Sequence, residues 1–167
     1  MTLKIRRAGL ADTDETTAVF SASFKSMPGI PKIHSDEEDR AFIRGLIANK
    51  ETWVALRDGH IAGLACLDGD WLAHLYVHPD HQSRSVGYAL FHTARLERPK
   101  GFQFWTFQKN KRARRFYEKL GCEPVEFTDG RGNEERTPDV RYVFTGRKRR
   151  LRRLWRGFGN FSLRRDT

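Results

Sequence analysis

Two short segments carry most of the chemistry that this sequence can do. In the first, Val77-His78-Pro79 closes an apolar run, and Asp80-His81-Gln82-Ser83-Arg84-Ser85-Val86-Gly87-Tyr88-Ala89-Leu90 turns from it into a helix. Backbone N–H groups at a helix start have no partner within the helix, and the helix dipole adds positive potential there. Such a junction suits an anion, and pyrophosphate is a natural guest. Arg84 adds a cation, and Gly87 lets the backbone come close to a ligand because it has no Cβ. Taken alone, the segment also reads as an ordinary polar turn, since short glycine patterns are weak signals.

The second segment is Asn110-Lys111-Arg112-Ala113-Arg114-Arg115-Phe116-Tyr117-Glu118-Lys119-Leu120-Gly121-Cys122. Ala113, Phe116 and Leu120 share one helical face, Asn110 stands where a side chain caps, and Gly121 stops the helix. By itself this too is an ordinary amphipathic helix.

Together, in this order, the two segments resemble the coenzyme-binding segments of the GNAT acetyltransferase family. Gln82 and Gly87 match the first and last positions of that family's pyrophosphate loop, and Asn110, Ala113, Phe116, Tyr117 and Gly121 match its second segment. The resemblance runs roughly from Lys4 to Phe144. It implies acetyl-CoA as cosubstrate and direct acetyl transfer to an amine-bearing acceptor, in a ternary complex without an acyl-enzyme. It places the coenzyme on Tyr76, Val77 and His78 of the strand, on Gln82, Ser83, Arg84, Ser85, Val86, Gly87 and Tyr88 of the turn, and on Asn110, Ala113 and Phe116. Asn110 would meet the pantetheine arm, and Tyr117 would act as general acid to the departing thiolate. A backbone N–H between Tyr76 and His78 would stabilise the oxyanion. Ser85 departs from the family, which prefers glycine there. If the position needs a positive φ, serine costs about 1 kcal/mol or more and weakens the coenzyme site.

The general base is less well marked. His74, on the strand leading into the turn, has a suitable intrinsic pKa but reads equally as a sheet-face histidine. Glu37, Glu38, Glu134 and Glu135 lie on or near the loops expected to border the acceptor. Cys66 and Cys122 read as buried, inert thiols. His74, His78 and His81 share no face, so no metal is expected.

The elements that must position these groups follow from periodicity and turn chemistry. Leu3–Arg7 alternates as a strand. Asp12 and Glu15, then Ser35 and Glu38, have capping-box spacing ahead of two helices, the second with a stripe of Phe42, Ile43, Leu46 and Ile47. Met27–His34 is a loop between them. Thr52–Arg57, Ile61–Leu67 and Trp71–Val77 form a meander with turns at Asp58-Gly59 and Asp68-Gly69-Asp70. Ser83–Leu96 is expected as a helix, Phe102–Phe107 as a strand, Asn110–Leu120 as a helix, and Val125–Thr128 and Val140–Thr145 as the last strands. The order is that of an α+β fold with a central mixed, mostly antiparallel sheet flanked by helices, the architecture of the GNAT acyl-CoA N-acyltransferase fold. A ligand crevice is expected where the strand–helix–strand crossover begins.

At 167 residues, one domain is expected, over residues 1–146. The formal charge of +10 sits mostly in residues 147–167, which hold nine Lys/Arg and one Asp. That tail, with Leu151, Leu154, Trp155 and Phe158 at helical spacing, reads either as a basic amphipathic helix or as a disordered extension. An alternative function follows: a catalytically weakened GNAT-fold binding module whose tail contacts RNA or an anionic surface. No run is apolar enough to span a bilayer, and two isolated cysteines with no targeting segment point to a cytoplasmic protein. Oligomeric state is open, a homodimer included.

Overall fold

Strand β1 (Leu3–Arg7) leads through a 3-10 turn (Leu10–Asp12) into helix α1 (Thr13–Lys25), and a loop then reaches α2 (Asp36–Asn49). The computed structural model describes residues 2–146; the basic tail from 147 to 167 lies outside the described residues. A meander of β2 (Glu51–Arg57), β3 (His60–Asp68) and β4 (Trp71–Val77) follows. Next come α3 (Val86–Glu97), β5 (Phe102–Phe107), α4 (Lys111–Lys119), β6 (Glu123–Phe127) and β7 (Asp139–Phe144). The seven strands form one sheet in the order β1-β2-β3-β4-β5-β7-β6, antiparallel throughout except at β4–β5. The expected α+β order and mostly antiparallel mixed sheet are present.

Local chemistry explains these boundaries. The β2–β3 hairpin turns at Asp58 and Gly59, both with positive φ, as a tight primed turn requires. Ser35 and Glu38 form the expected capping box: the Ser35 hydroxyl accepts from the Glu38 N–H at 3.2 Å, and the Glu38 carboxylate accepts from the Ser35 N–H at 2.7 Å. Asp12 does not cap α1. Its carboxylate is taken by Arg6, at 2.7 and 2.9 Å, and by the Gly9 N–H at 2.8 Å, and the bonded guanidinium holds its pKa below the usual carboxylate range. Glu15 instead accepts from the Ile61 N–H at 2.8 Å, tying α1 to β3. Helix α3 starts three residues later than its sequence pattern suggests, because Ser83 (φ 60°) and Ser85 (φ 69°) are left-handed and cannot join a right-handed helix.

The sheet is covered on both faces. Ile61, Leu64 and Cys66 of β3 pack towards α1 and α2 with Val19, Phe20 and Ile43. Ala62, Ala65 and Leu67 pack in the second cluster, with Val86, Leu90 and Phe91 of α3 and Tyr117 of α4. Gly63 sets the close approach of α3. A Cβ there would come 2.9 Å from Leu90 Cδ1 and 3.0 Å from both Tyr76 O and Val86 Cγ1. Helix α3 therefore rests directly on the strand beneath it.

Candidate active site

The site begins with a break in the sheet. Strands β4 and β5 run parallel but pair only at Trp71↔Gln103, after which they diverge. Past that point the β5 side of β4 has no ladder partner. His78 donates its N–H to Ala62 O at 2.9 Å, on the β3 side. Amides in an antiparallel ladder alternate in direction, so the Val77 N–H faces the gap. Of the amides from Tyr76 to His78, that of Val77 is thus aimed at the opening, whereas that of His78 is spent.

A cleft of about 1420 Å³ fills the gap. Its walls include His74, Tyr76, Val77, Gln82, Ser83, Ser85, Gly87 and Tyr88 from the β4–α3 side, and Asn110, Ala113, Phe116 and Tyr117 from α4. The residues singled out on both segments therefore converge. Three others contribute differently. The Val86 side chain is fully buried in the core, the Arg84 side chain is exposed beyond the cleft wall, and His78 accepts the Asp80 N–H at 3.2 Å.

The turn from Ser83 to Gly87 holds its shape by contacts from three elements. Gln82 donates through Nε2 to Val77 O at 3.2 Å. Arg57 of β2 donates to Arg84 O at 2.7 Å, and Arg112 of α4 donates to Ser83 Oγ at 2.8 Å. None of the amides from Ser83 to Gly87 donates to a protein acceptor among the described residues. They form a row of available donors at a helix start, with two guanidinium groups beside them. Gly87 also lets α4 close on the turn, since a Cβ there would meet Phe116 Cζ at 3.4 Å and Val77 Cγ2 at 3.5 Å. Arg57 and Arg112 were not legible as site residues: one belongs to a distant strand, and the other is a lysine-arginine run member with no distinguishing spacing.

Asn110 caps α4, its Oδ1 accepting from the Ala113 N–H at 3.1 Å, which leaves its amide nitrogen on the cleft. Tyr117 is 7% exposed, its ring 4.2 Å from that of Phe104. Burial raises its pKa above the ordinary phenol value, so the hydroxyl stays protonated, and no protein group among the described residues accepts from it. Tyr76 is shifted upward too, by burial first and then by the charge of Glu135.

The other end of the cleft is aromatic. His74 lies 6.0 Å from Tyr76 in a stacked arrangement and 5.1 Å edge-on to Phe42, while Phe24 meets Phe107 at 6.4 Å. Burial in this wall pushes His74 down to about 4, so its imidazole is neutral at neutral pH. Glu134 and Glu135 part ways. Glu134 turns outward to His34 at 2.9 Å, and Glu135 joins the cleft wall. Cys66 and Cys122 are buried, and desolvation raises both thiols, Cys122 to about 12. Among the described residues, no three His, Cys, Asp or Glu side chains are grouped to hold a metal, and no helix is long and apolar enough to cross a membrane.

Residues 48–124, from the end of α2 into β6, match the acetyltransferase (GNAT) domain. That stretch, a little under half of the chain, is similar to GNAT acetyltransferases. The matched stretch contains the parted strands, the amide-rich turn and α4, so the GNAT signature coincides with the cleft. A peptidyl-lysine N-acetyltransferase of Escherichia coli (strain K12), YiaC, is 31% identical over 81 residues, which is 48% of this chain and 55% of that protein. The match thus spans about half of that relative's length. The solution structure of apo YjaB from Escherichia coli superposes with a TM-score of 0.73 at 21% identity, covering 88% of this chain and 100% of that one. The PaiA N-acetyltransferase from Thermoplasma acidophilum, solved in complex with coenzyme A, superposes at 0.66 with 20% identity, covering 87% and 99%. These structural likenesses bear on the fold.

Proposed function

We propose that this chain transfers an acetyl group from acetyl-CoA to an amine of a small molecule or protein. The observation that carries the reading is the gap between β4 and β5, which joins unengaged helix-start amides to a buried, protonated tyrosine through one cleft. Two of the similar proteins support it in their own descriptions: one is named a peptidyl-lysine N-acetyltransferase, and the other was solved with coenzyme A.

In this reading the amides from Ser83 to Gly87 take the pyrophosphate, with Arg57 and Arg112 neutralising charge beside the turn. The pantetheine arm lies along the free edge of β4, where the Asn110 amide nitrogen can pair with it. As the acceptor nitrogen attacks the thioester carbonyl, a C–N bond forms and the C–S bond breaks. In this reading the Val77 N–H supports the developing oxyanion. Tyr117 gives the departing sulfur a proton, and the acceptor nitrogen releases one to water or to a base. Direct transfer fits the two thiols, which burial keeps protonated and therefore poor nucleophiles. His74 remains the histidine candidate for that base. Its neutral form can accept a proton, but a pKa of about 4 places it well below the optimum for proton abstraction near neutral pH.

A second reading, a weakened coenzyme site with binding through the tail, requires that Ser85, which occupies a left-handed position that suits glycine, holds the turn in a shape unfit for the coenzyme. Calorimetry separates the two. Saturable binding of acetyl-CoA supports the enzyme, and no heat at high micromolar ligand supports the module. Tyr117→Phe then tests the acid: turnover should fall about 100-fold while acetyl-CoA affinity stays within threefold. Equal turnover in both proteins would remove the role.

A further inference from the structure

The cleft is electrically lopsided. Arg112, Arg115 and Lys119 border it on the α4 side, and Arg57 supports the phosphate turn. Three carboxylates border it elsewhere among the described residues, and two of them are already engaged. Glu126 accepts from Arg141 Nε at 2.9 Å. Asp139 accepts from Thr128 Oγ1 and, at 3.0 Å, from Asn133 Nδ2. The third, Glu135, is half-buried and has no hydrogen-bond or ion-pair partner for its side chain among the described residues. A cationic guest would give this carboxylate the partner it lacks.

Its loop is built to hold it in place. Asn133 bonds twice to Thr137, donating to its O at 2.8 Å and accepting from its N–H at 3.1 Å. Gly130 (φ 83°) packs against the Thr137 backbone so closely that a Cβ would come within 2.3 Å of Thr137 C. Thr137 Oγ1 in turn donates to Glu135 O at 2.9 Å. Gln108, at the end of β5, donates to Thr128 O and Asp139 O, both at 2.9 Å, and so ties the loop base to the gap. From this frame the Glu135 charge reaches the Tyr76 phenol. The wall across the cleft, including Phe24, Met27 and Pro28, is uncharged, and His74 is neutral there. Uncharged, largely aromatic surroundings suit an alkyl arm, and a single carboxylate suits the cation at its end.

We propose that Glu135 is the specificity-determining carboxylate of the acceptor site, and that it selects an alkylammonium carried on an unbranched apolar arm. This rests on the acetyltransferase reading and names the acceptor class within it. The role is recognition: Glu135 pairs with the ammonium as it enters, one ammonium proton passes to water before attack, and the second leaves the nitrogen as the amide forms.

The test compares two acceptors on one scaffold: a blocked lysine (N-acetyl-lysine methylamide) and its analogue whose terminal aminooxy nitrogen is uncharged at neutral pH. In Glu135→Gln, KM for the lysine probe should rise about tenfold, as expected for loss of a charge-assisted bond, with kcat within threefold. KM for the aminooxy probe and for acetyl-CoA should stay within twofold. Added salt should raise the wild-type KM for the lysine probe and leave that of the aminooxy probe unchanged, a readout that needs no variant. Equal losses for both probes, or no loss for lysine, would overturn the proposal. If the wild type binds no acetyl-CoA, the enzyme reading fails separately. Glu135 is then judged, as it is when neither probe is acetylated, by titrating the lysine probe into the protein, where equal affinity in wild type and Glu135→Gln would overturn it.

Discussion

Replacing Ser85 by glycine isolates the residue at which the turn departs from the GNAT pyrophosphate loop that it resembles. Ser85 has φ 69° and ψ −2°, lies at the junction with α3, and makes no capping hydrogen bond through its hydroxyl. Removing the side chain therefore loses no bond and relieves the left-handed strain, worth about 1–2 kcal/mol. Glycine gives back about 0.4–1 kcal/mol through its freer unfolded chain. The net stabilisation should be about 0–1.6 kcal/mol, and a midpoint raised by up to roughly 6 °C would report it in thermal unfolding. The turn is already formed by Arg57, Arg112 and Gln82, so the strain is present with and without ligand, and coenzyme affinity should change less than about threefold. Ser85→Ala should resemble the wild type, and Ser85→Val should lose about 1 kcal/mol because β-branching is least tolerated at positive φ. A destabilised glycine variant, or a valine variant as stable as the wild type, would refute a left-handed Ser85. A coenzyme affinity that rises tenfold in Ser85→Gly would show instead that the turn forms only on binding.

Two further variants test the supports of the site. Gly63→Val should destabilise by at least about 2 kcal/mol in denaturant unfolding, because its side chain enters space held by Leu90, Val86 and the Tyr76 carbonyl; near-wild-type stability would contradict the close seating of α3. His74 gives a pH signature. Its folded pKa of about 4 lies below the unfolded value near 6.5, so the unfolded chain binds more protons between these values and stability falls as pH drops through that window. Between pH 7.5 and 5 the wild type should lose up to about 2 kcal/mol that His74→Phe does not lose, measured by urea midpoints at both values; parallel losses would place His74 in water.

Local chemistry made much of the fold readable. The Asp58-Gly59 turn, the Ser35–Glu38 box, the Asn110 cap and the Gly121 stop each act over a few residues, and each marks a boundary that the structure keeps. The failures were long-range or conformational. Asp12 has the spacing of a cap, but Arg6 outcompetes the helix for its carboxylate with two bonds. Helix α3 starts later than its composition suggests because Ser83 and Ser85 are left-handed, which no composition rule reveals. The parting of β4 and β5 depends on how two strands separated by a helix diverge, which no local pattern encodes. Glu134 and Glu135 are indistinguishable as letters, and only the path of the Asn133–Thr137 turn sends one to His34 and the other to the cleft.

The claim beneath all of this is that the backbone from Ser83 to Gly87 offers its N–H groups to a diphosphate. Titrating ¹⁵N-labelled protein with coenzyme A, while following the amide resonances of these five residues and of Val77, tests it residue by residue. The account predicts that these amides shift together and saturate, whereas the His78 amide, already bonded to Ala62, moves little. Saturation seen elsewhere with these resonances unmoved, or no shifts at millimolar coenzyme, would contradict it.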